Sequence, residues 1–365
     1  MGWVLAVVST LLLVACTTQA LLPYSETMPP VVLATLAAAG VKDVRGHYRA
    51  AVCARLPAAR PCDQVLVRLP GETPARAPVP PPDLAQRYRL VFVPGLLADC
   101  VERLVQSFAD VMDSLRQAGF AVHYVQGAGR GASAANAQQL ARQLAALGED
   151  PRPLLVFAYS KGLPDMLEML VHAPAMSPQI AAIVSLVGGS PLVDNLHGLY
   201  RTWLVPLPLP GCAPGTGEEL RDLQRETRLA WWAQYRPAVR VPVFSLVALP
   251  RPERVSPALT ALHAELGAVD PRNDGQLLWY DAVVVPGWLL GYVNADHWAL
   301  ALPLHQQLPA LAFLFRDDVP RLALIEAAME VVDGILRAAS GQKPQRWCYP
   351  HALLRRCGRG SCLYP

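Results

Sequence analysis

Short apolar runs recur along this chain, each ending at a turn and each followed by apolar positions spaced three and four apart. Arg89–Val93 is the first such run and stops at Pro94-Gly95. Val101, Leu104, Val105, Phe108, Val111, Met112 and Leu115 then repeat at helix spacing. Phe120–Val125 predicts a second strand, and Gln138–Leu147 a helix with Leu140, Leu144 and Leu147 on one face. Pro153–Ala158 predicts a third strand, with a helix close behind it. Pro164 falls in the first turn of that helix, where its missing N–H costs little. Ile180–Val187 and Val241–Ala248 read as further strands, and Pro320–Ala339 as an amphipathic closing helix. This alternation predicts an α/β fold, a mainly parallel sheet with helices on both faces.

Two stretches interrupt the rhythm. Residues 17–70 read as a small N-terminal segment, helical around Val31–Ala39, joined to the repeating part by a Pro/Ala-rich linker at Glu72–Pro82. Residues 191–236 are rich in Pro and Leu, then charged, then carry Trp231-Trp232, and read as a cap over the sheet. The expected division is therefore a signal at 1–15, an N-terminal segment and linker at 16–85, the α/β domain at 86–340 and a cysteine-rich tail at 341–365.

Composition changes this picture at the chain ends. The 365 residues are 53% hydrophobic, enough for a sizeable core, and a net charge of +3 gives no nucleic-acid footprint. Trp3–Ala15 is almost wholly apolar but too short to span a bilayer. It ends in Leu13-Val14-Ala15-Cys16, which resembles the lipobox of bacterial lipoproteins. That resemblance implies lipidation of Cys16, a membrane anchor and residence in the cell envelope, with Thr17 favouring the outer membrane. An ordinary secretory signal or an uncleaved anchor is the alternative. Export permits disulfides. Of the eight cysteines, Cys53 and Cys62 bracket a short loop and form the expected pair. Cys348, Cys357 and Cys362, with His351, resemble a zinc ligand set, but oxidised cysteines offer no thiolate, so no metal is expected.

The chemistry concentrates at Leu154-Leu155-Val156-Phe157-Ala158-Tyr159-Ser160-Lys161-Gly162, a strand ending in small-x-Ser-x-Gly before a helix. Such a turn exposes a serine hydroxyl above the sheet edge and needs small residues beside it. A hydroxyl needs a base to become a nucleophile. His297, in Asn294-Ala295-Asp296-His297-Trp298, lies late in the chain on a loop between apolar and helical segments. Asn273-Asp274-Gly275 is a turn sequence between serine and histidine, and it offers Asp274 as a candidate for an acid that would orient the imidazole. Asp270 and Asp281 are the neighbouring alternatives, and Asp296 reads as a turn cap. For the oxyanion hole, the Lys161 N–H follows the nucleophile, and Val93-Pro94-Gly95-Leu96-Leu97 supplies Leu96 as the second donor.

These motifs, in the order Ser, acid, His over about residues 88–340, resemble the lipase/esterase branch of the α/β-hydrolase superfamily. The resemblance implies a serine hydrolase acting on a carboxylic ester, apolar or lipid-like, through an acyl-enzyme, without a cofactor. An acyltransferase or thioesterase with the same triad, and a catalytically silent binding lipoprotein, are the alternatives. Ala158 stands where the family favours glycine, and Lys161 where His or Gln is usual; the Lys161 side chain is expected to be solvated or to meet an anionic substrate. Gly127-x-Gly129-x-x-Ala132 has the form of a dinucleotide fingerprint, but Tyr159-Ser160 stands where that motif expects an acid. The glycines are read instead as shaping a loop beside the pocket.

Overall fold

The computed structural model describes residues 30–77, 83–188, 211–213 and 215–340. Cys16, the first part of the expected cap and the tail with Cys348, His351, Cys357 and Cys362 lie outside the described residues.

The central strands are mostly apolar and buried at nearly every position because both of their faces are covered. They are β3 (Arg89–Val93), β5 (Leu154–Tyr159), β6 (Ile180–Leu186) and β7 (Val243–Ala248). With β1 (Val41–Asp43), β2 (Leu66–Val67), β4 (Ala121–Tyr124) and β8 (Gly287–Val293) they form one sheet, in the order β1-β8-β7-β6-β5-β3-β4. All neighbours along that path are parallel, and β2 alone runs antiparallel to β8.

Alternate residues of each strand feed two cores. Leu90, Phe92, Leu155, Phe157 and Tyr159 face α1 (Arg45–Cys53), α2 (Ala109–Gln117) and α7 (Arg321–Ala339). Val91, Val93, Leu154, Val156 and Ala158 face α3 (Ser133–Ala145) and α4 (Gly162–His172). Phe157 is fully buried and stacks on Phe92 at 5.1 Å. Burial of such a side chain contributes about 2–3 kcal/mol. Among the described residues the remaining helices of eight residues or more are α5 (Arg225–Tyr235) and α6 (Thr260–Gly267).

Three local expectations change. The helical pattern from Val101 to Leu115 is broken: a short turn covers Ala98–Val101, and α2 starts at Ala109. Phe108 adopts a φ of +61° and gives its N–H to Ala301 (2.8 Å), so a tertiary contact overrides the periodicity. Helix is confined to Pro30–Leu33 where Val31–Ala39 was expected. The N-terminal segment, read as a small unit joined to the repeating part by a linker, supplies β1, α1 and β2 to the sheet and core. There Tyr48 is fully buried and donates its hydroxyl to the Leu324 carbonyl (3.1 Å).

Two disulfides are present among the described residues. Cys53 joins Cys62, as expected, and Cys100 joins Cys212, a link across 112 residues that cysteine spacing does not reveal.

Candidate active site

The exits of β3, β5, β7 and β8 meet at one edge of the sheet, the carboxyl edge where open α/β sheets carry their sites. Ser160 follows β5 directly and has a φ of +50°. A non-glycine residue held there stores strain, of order 1–3 kcal/mol, that surrounding contacts must sustain. Its N–H is fixed to the Leu186 carbonyl at the end of β6 (3.1 Å). Two glycines let the β3 exit press against this turn. A Cβ on Gly162 would lie 2.6 Å from the Pro94 carbonyl oxygen and 2.7 Å from that of Val93, and one on Gly95 would lie 3.0 Å from the Ser160 Cβ.

His297 is delivered by the β8 exit. Asp296 anchors that loop by accepting the N–H of Ser256 (2.7 Å) and of Ala299 (3.0 Å), so it is a structural brace beside the histidine. Tyr159, whose ring lies tilted with its centroid 5.4 Å from that of the imidazole, donates its hydroxyl to the His297 carbonyl (3.1 Å). Burial pushes the Tyr159 phenol well above its ordinary range, which keeps it a neutral donor. Burial likewise raises the Asp296 carboxyl, against the hydrogen bonds that favour its charge.

Asp274 sits in a tight turn. One carboxylate oxygen accepts the N–H of Gln276 (2.8 Å) and of Leu277 (2.6 Å). The other lies 2.8 Å from His297 Nδ1. A carboxylate only accepts, so Nδ1 carries the proton and the neutral ring leaves Nε2 as an acceptor. Nε2 lies 2.9 Å from the Ser160 hydroxyl, which donates to it. Asp274 and His297 are both buried, and Ser160 is half-buried. The alternatives point elsewhere: Asp270 binds Arg272 and the Trp279 indole, and Asp281 pairs with Arg225 at 2.7 Å. Another buried serine, Ser133, opens α3, where Asp222 takes its N–H (2.7 Å).

Leu96 lies on the β3 exit, in the segment pressed against Ser160, and the Lys161 N–H precedes the first residue of α4. Neither N–H meets another acceptor among the described residues. Helix N-termini leave such donors free for an anionic oxygen. The Lys161 side chain departs from expectation. It is buried, and its ammonium binds Asp165 at 2.6 Å, one helical turn along α4, instead of facing solvent or substrate.

A cavity of about 390 Å³ is lined by none of Ser160, Asp274 and His297. It lies between α4 and α5, walled by Leu163, Leu167, Trp232 and Val283. The described part of the expected cap packs Trp231 and Trp232 against the core beneath α4.

No family model matches this chain, and comparison with curated proteins finds no match. Among solved structures, the metagenomic carboxyl esterase MGS0156 is 34% identical, covers 86% of this chain and 99% of its own length, and has a TM-score of 0.75. The chain belongs to the α/β-hydrolase-fold carboxyl esterases. Mature Bacillus licheniformis lipase BlEst2 (20% identity, 60% of this chain, 87% of its own, TM-score 0.48) and EstA from Clostridium botulinum (11%, 80%, 96%, 0.42) are too distant to add to the argument. In this esterase the β3 exit is tied down further than the sequence suggested, since the Cys100–Cys212 bond fastens it to the chain that leads into α5.

Proposed function

We propose that this esterase cleaves apolar carboxylic esters with Ser160 as nucleophile, His297 as general base and acid, and Asp274 as the group that orients the imidazole. The observation that carries the reading is the unbroken hydrogen-bonded chain Asp274–His297–Ser160, with its serine on a strained turn at the sheet edge.

The Ser160 oxygen attacks the ester carbonyl while His297 Nε2 takes its proton. Asp274 stabilises the imidazolium that forms. The carbonyl oxygen becomes an oxyanion and accepts the N–H groups of Leu96 and Lys161. Collapse of the tetrahedral species breaks the bond to the alcohol oxygen, and His297 returns the proton to that leaving group. A water molecule then repeats the sequence on the acyl-Ser160 ester, giving the carboxylic acid and free serine. The lipobox at Leu13–Cys16 supports placement at a bacterial envelope membrane through an acylated Cys16, in reach of lipid esters.

Reaction with a fluorophosphonate probe tests this. Labelling that disappears in folded Ser160→Ala is the expected result. Folded wild-type protein that does not label, or Ser160→Ala that labels equally, contradicts the reading. Mass spectrometry of membrane-extracted protein tests the anchor: an acyl chain on Cys16 is expected, and its absence from freely soluble protein removes that part.

A further inference from the structure

The triad leaves the glycine motif after β4 without a role. Gly127, Gly129 and Gly131 are packed too closely for any side chain. A Cβ on Gly127 would lie 2.3 Å from the Asn136 Cγ, on Gly129 2.1 Å from an Asp99 carboxylate oxygen, and on Gly131 2.4 Å from the Asn136 Oδ1. The glycines therefore make room for two polar side chains, Asn136 on α3 and Asp99 on the β3 exit.

These two side chains complete a path between the two oxyanion donors. Lys161, which carries one donor, binds Asp165 Oδ1 through its ammonium (2.6 Å). Asn136 donates to Asp165 Oδ2 (2.7 Å) and to the Ala128 carbonyl (3.0 Å), and accepts the Ala128 N–H (2.9 Å). The next residue, Gly129, gives its N–H to Asp99 (2.7 Å) and accepts the N–H of Leu97 (3.0 Å). Leu97 adjoins the other donor, Leu96, and is itself held at a φ of +64°. Lys161, Asp165 and Asn136 are all buried.

A buried ion pair contributes little to stability over apolar packing, and a retained one more readily fixes a geometry. The two donors come from different elements, the β3 exit and the α4 turn, and catalysis needs them at one fixed separation. We propose that Asn136 and Asp99 are positioning residues for the oxyanion hole, holding the Leu96 and Lys161 N–H groups in register through the Ala128-Gly129 backbone. This inference rests on the esterase reading and its two donors.

Steady-state hydrolysis of a p-nitrophenyl ester, inhibition by a trifluoromethyl ketone and melting temperature test it together in Asn136→Ala, Asp99→Ala and Asp99→Asn. The ketone forms a tetrahedral adduct whose oxyanion uses the same donors. Misplacing a catalytic group by an ångström can cost up to about 100-fold, so the two alanine variants should lose about 10- to 100-fold in kcat with KM nearly unchanged. The ketone's Ki should rise by the same factor. Asp99→Asn, which keeps an acceptor for the Gly129 N–H, should recover most of the loss. Variants that melt earlier but keep wild-type kcat and Ki overturn the proposal, as does Asp99→Asn as impaired as Asp99→Ala. If Asn136→Ala fails to fold, the Asp99 pair decides. Wild-type protein that neither turns over the ester nor binds the ketone overturns the esterase reading itself.

Discussion

His297 Nε2 lies 2.9 Å from the Ser160 hydroxyl, and the two residues are 137 positions apart in the chain. Parallel strands β5 and β8 bring them together, because each delivers its residue at the carboxyl edge of the same sheet. The imidazole is oriented from behind by Asp274 and braced below by Tyr159.

The proposed mechanism assigns Asp274 as the acid that orients the imidazole. Asp274→Asn should lower kcat by up to about 10⁴-fold, since loss of the triad acid leaves the wrong tautomer facing serine. Asp270→Asn and Asp281→Asn, whose partners are Arg272 and Arg225, should keep kcat within about tenfold, since neither carboxylate meets the reacting groups. A larger loss at either neighbour, in folded protein, would move the assignment there.

Asp296 gives stability a pH dependence of known sign. Burial raises its carboxyl in the folded protein, with nearby Asp274 adding to the shift, while the unfolded chain titrates near the ordinary value of about 3.9. Between those two values the folded state holds the extra proton, so this contribution is full below about 3.9 and is lost as pH rises through the folded value. Urea midpoints of wild type and Asp296→Asn from pH 3 to 7 should show wild type losing stability relative to the variant as pH rises. A constant difference across that range would contradict the assignment.

The two disulfides close loops of very different length, 9 and 112 residues of separation. Chain-entropy reasoning assigns about 3 kcal/mol to the Cys53–Cys62 bond and about 5 kcal/mol to Cys100–Cys212. Paired Cys→Ala variants, compared by urea unfolding, should rank in that order. The reverse ranking would mean that the segment joined to Cys100 is already ordered without the bond.

Much of the fold was legible because the central strands are covered on both faces, so β3, β5, β6 and β7 stand out as apolar runs. The hydrogen-bonded set proposed as the triad, Ser160, His297 and Asp274, could be picked out because a serine turn demands small neighbours and the resemblance supplies a chain order. The edge strands β1 and β2 were not, since three and two residues carry no periodicity. Neither glycine nor proline marks the break between Val101 and Ala109; the Phe108 turn is imposed by Ala301, nearly 200 residues away. The burial of Lys161 follows from Asp165 at i+4, visible in the sequence, and from Asn136 on another helix, which is not. The Cys100–Cys212 pair depends on the sheet bringing the β3 exit beside the chain entering α5, which cysteine spacing cannot reveal.

The triad can be tested at the reacting atom. Rapid acid quench of the protein during turnover of an activated ester, followed by peptide mass spectrometry, locates the acyl group. The predicted result is one acyl adduct on the peptide containing Ser160, formed in wild type and absent from folded Ser160→Ala and His297→Ala. Ester turnover at the wild-type rate in either variant, or an adduct on any other residue, would contradict the mechanism.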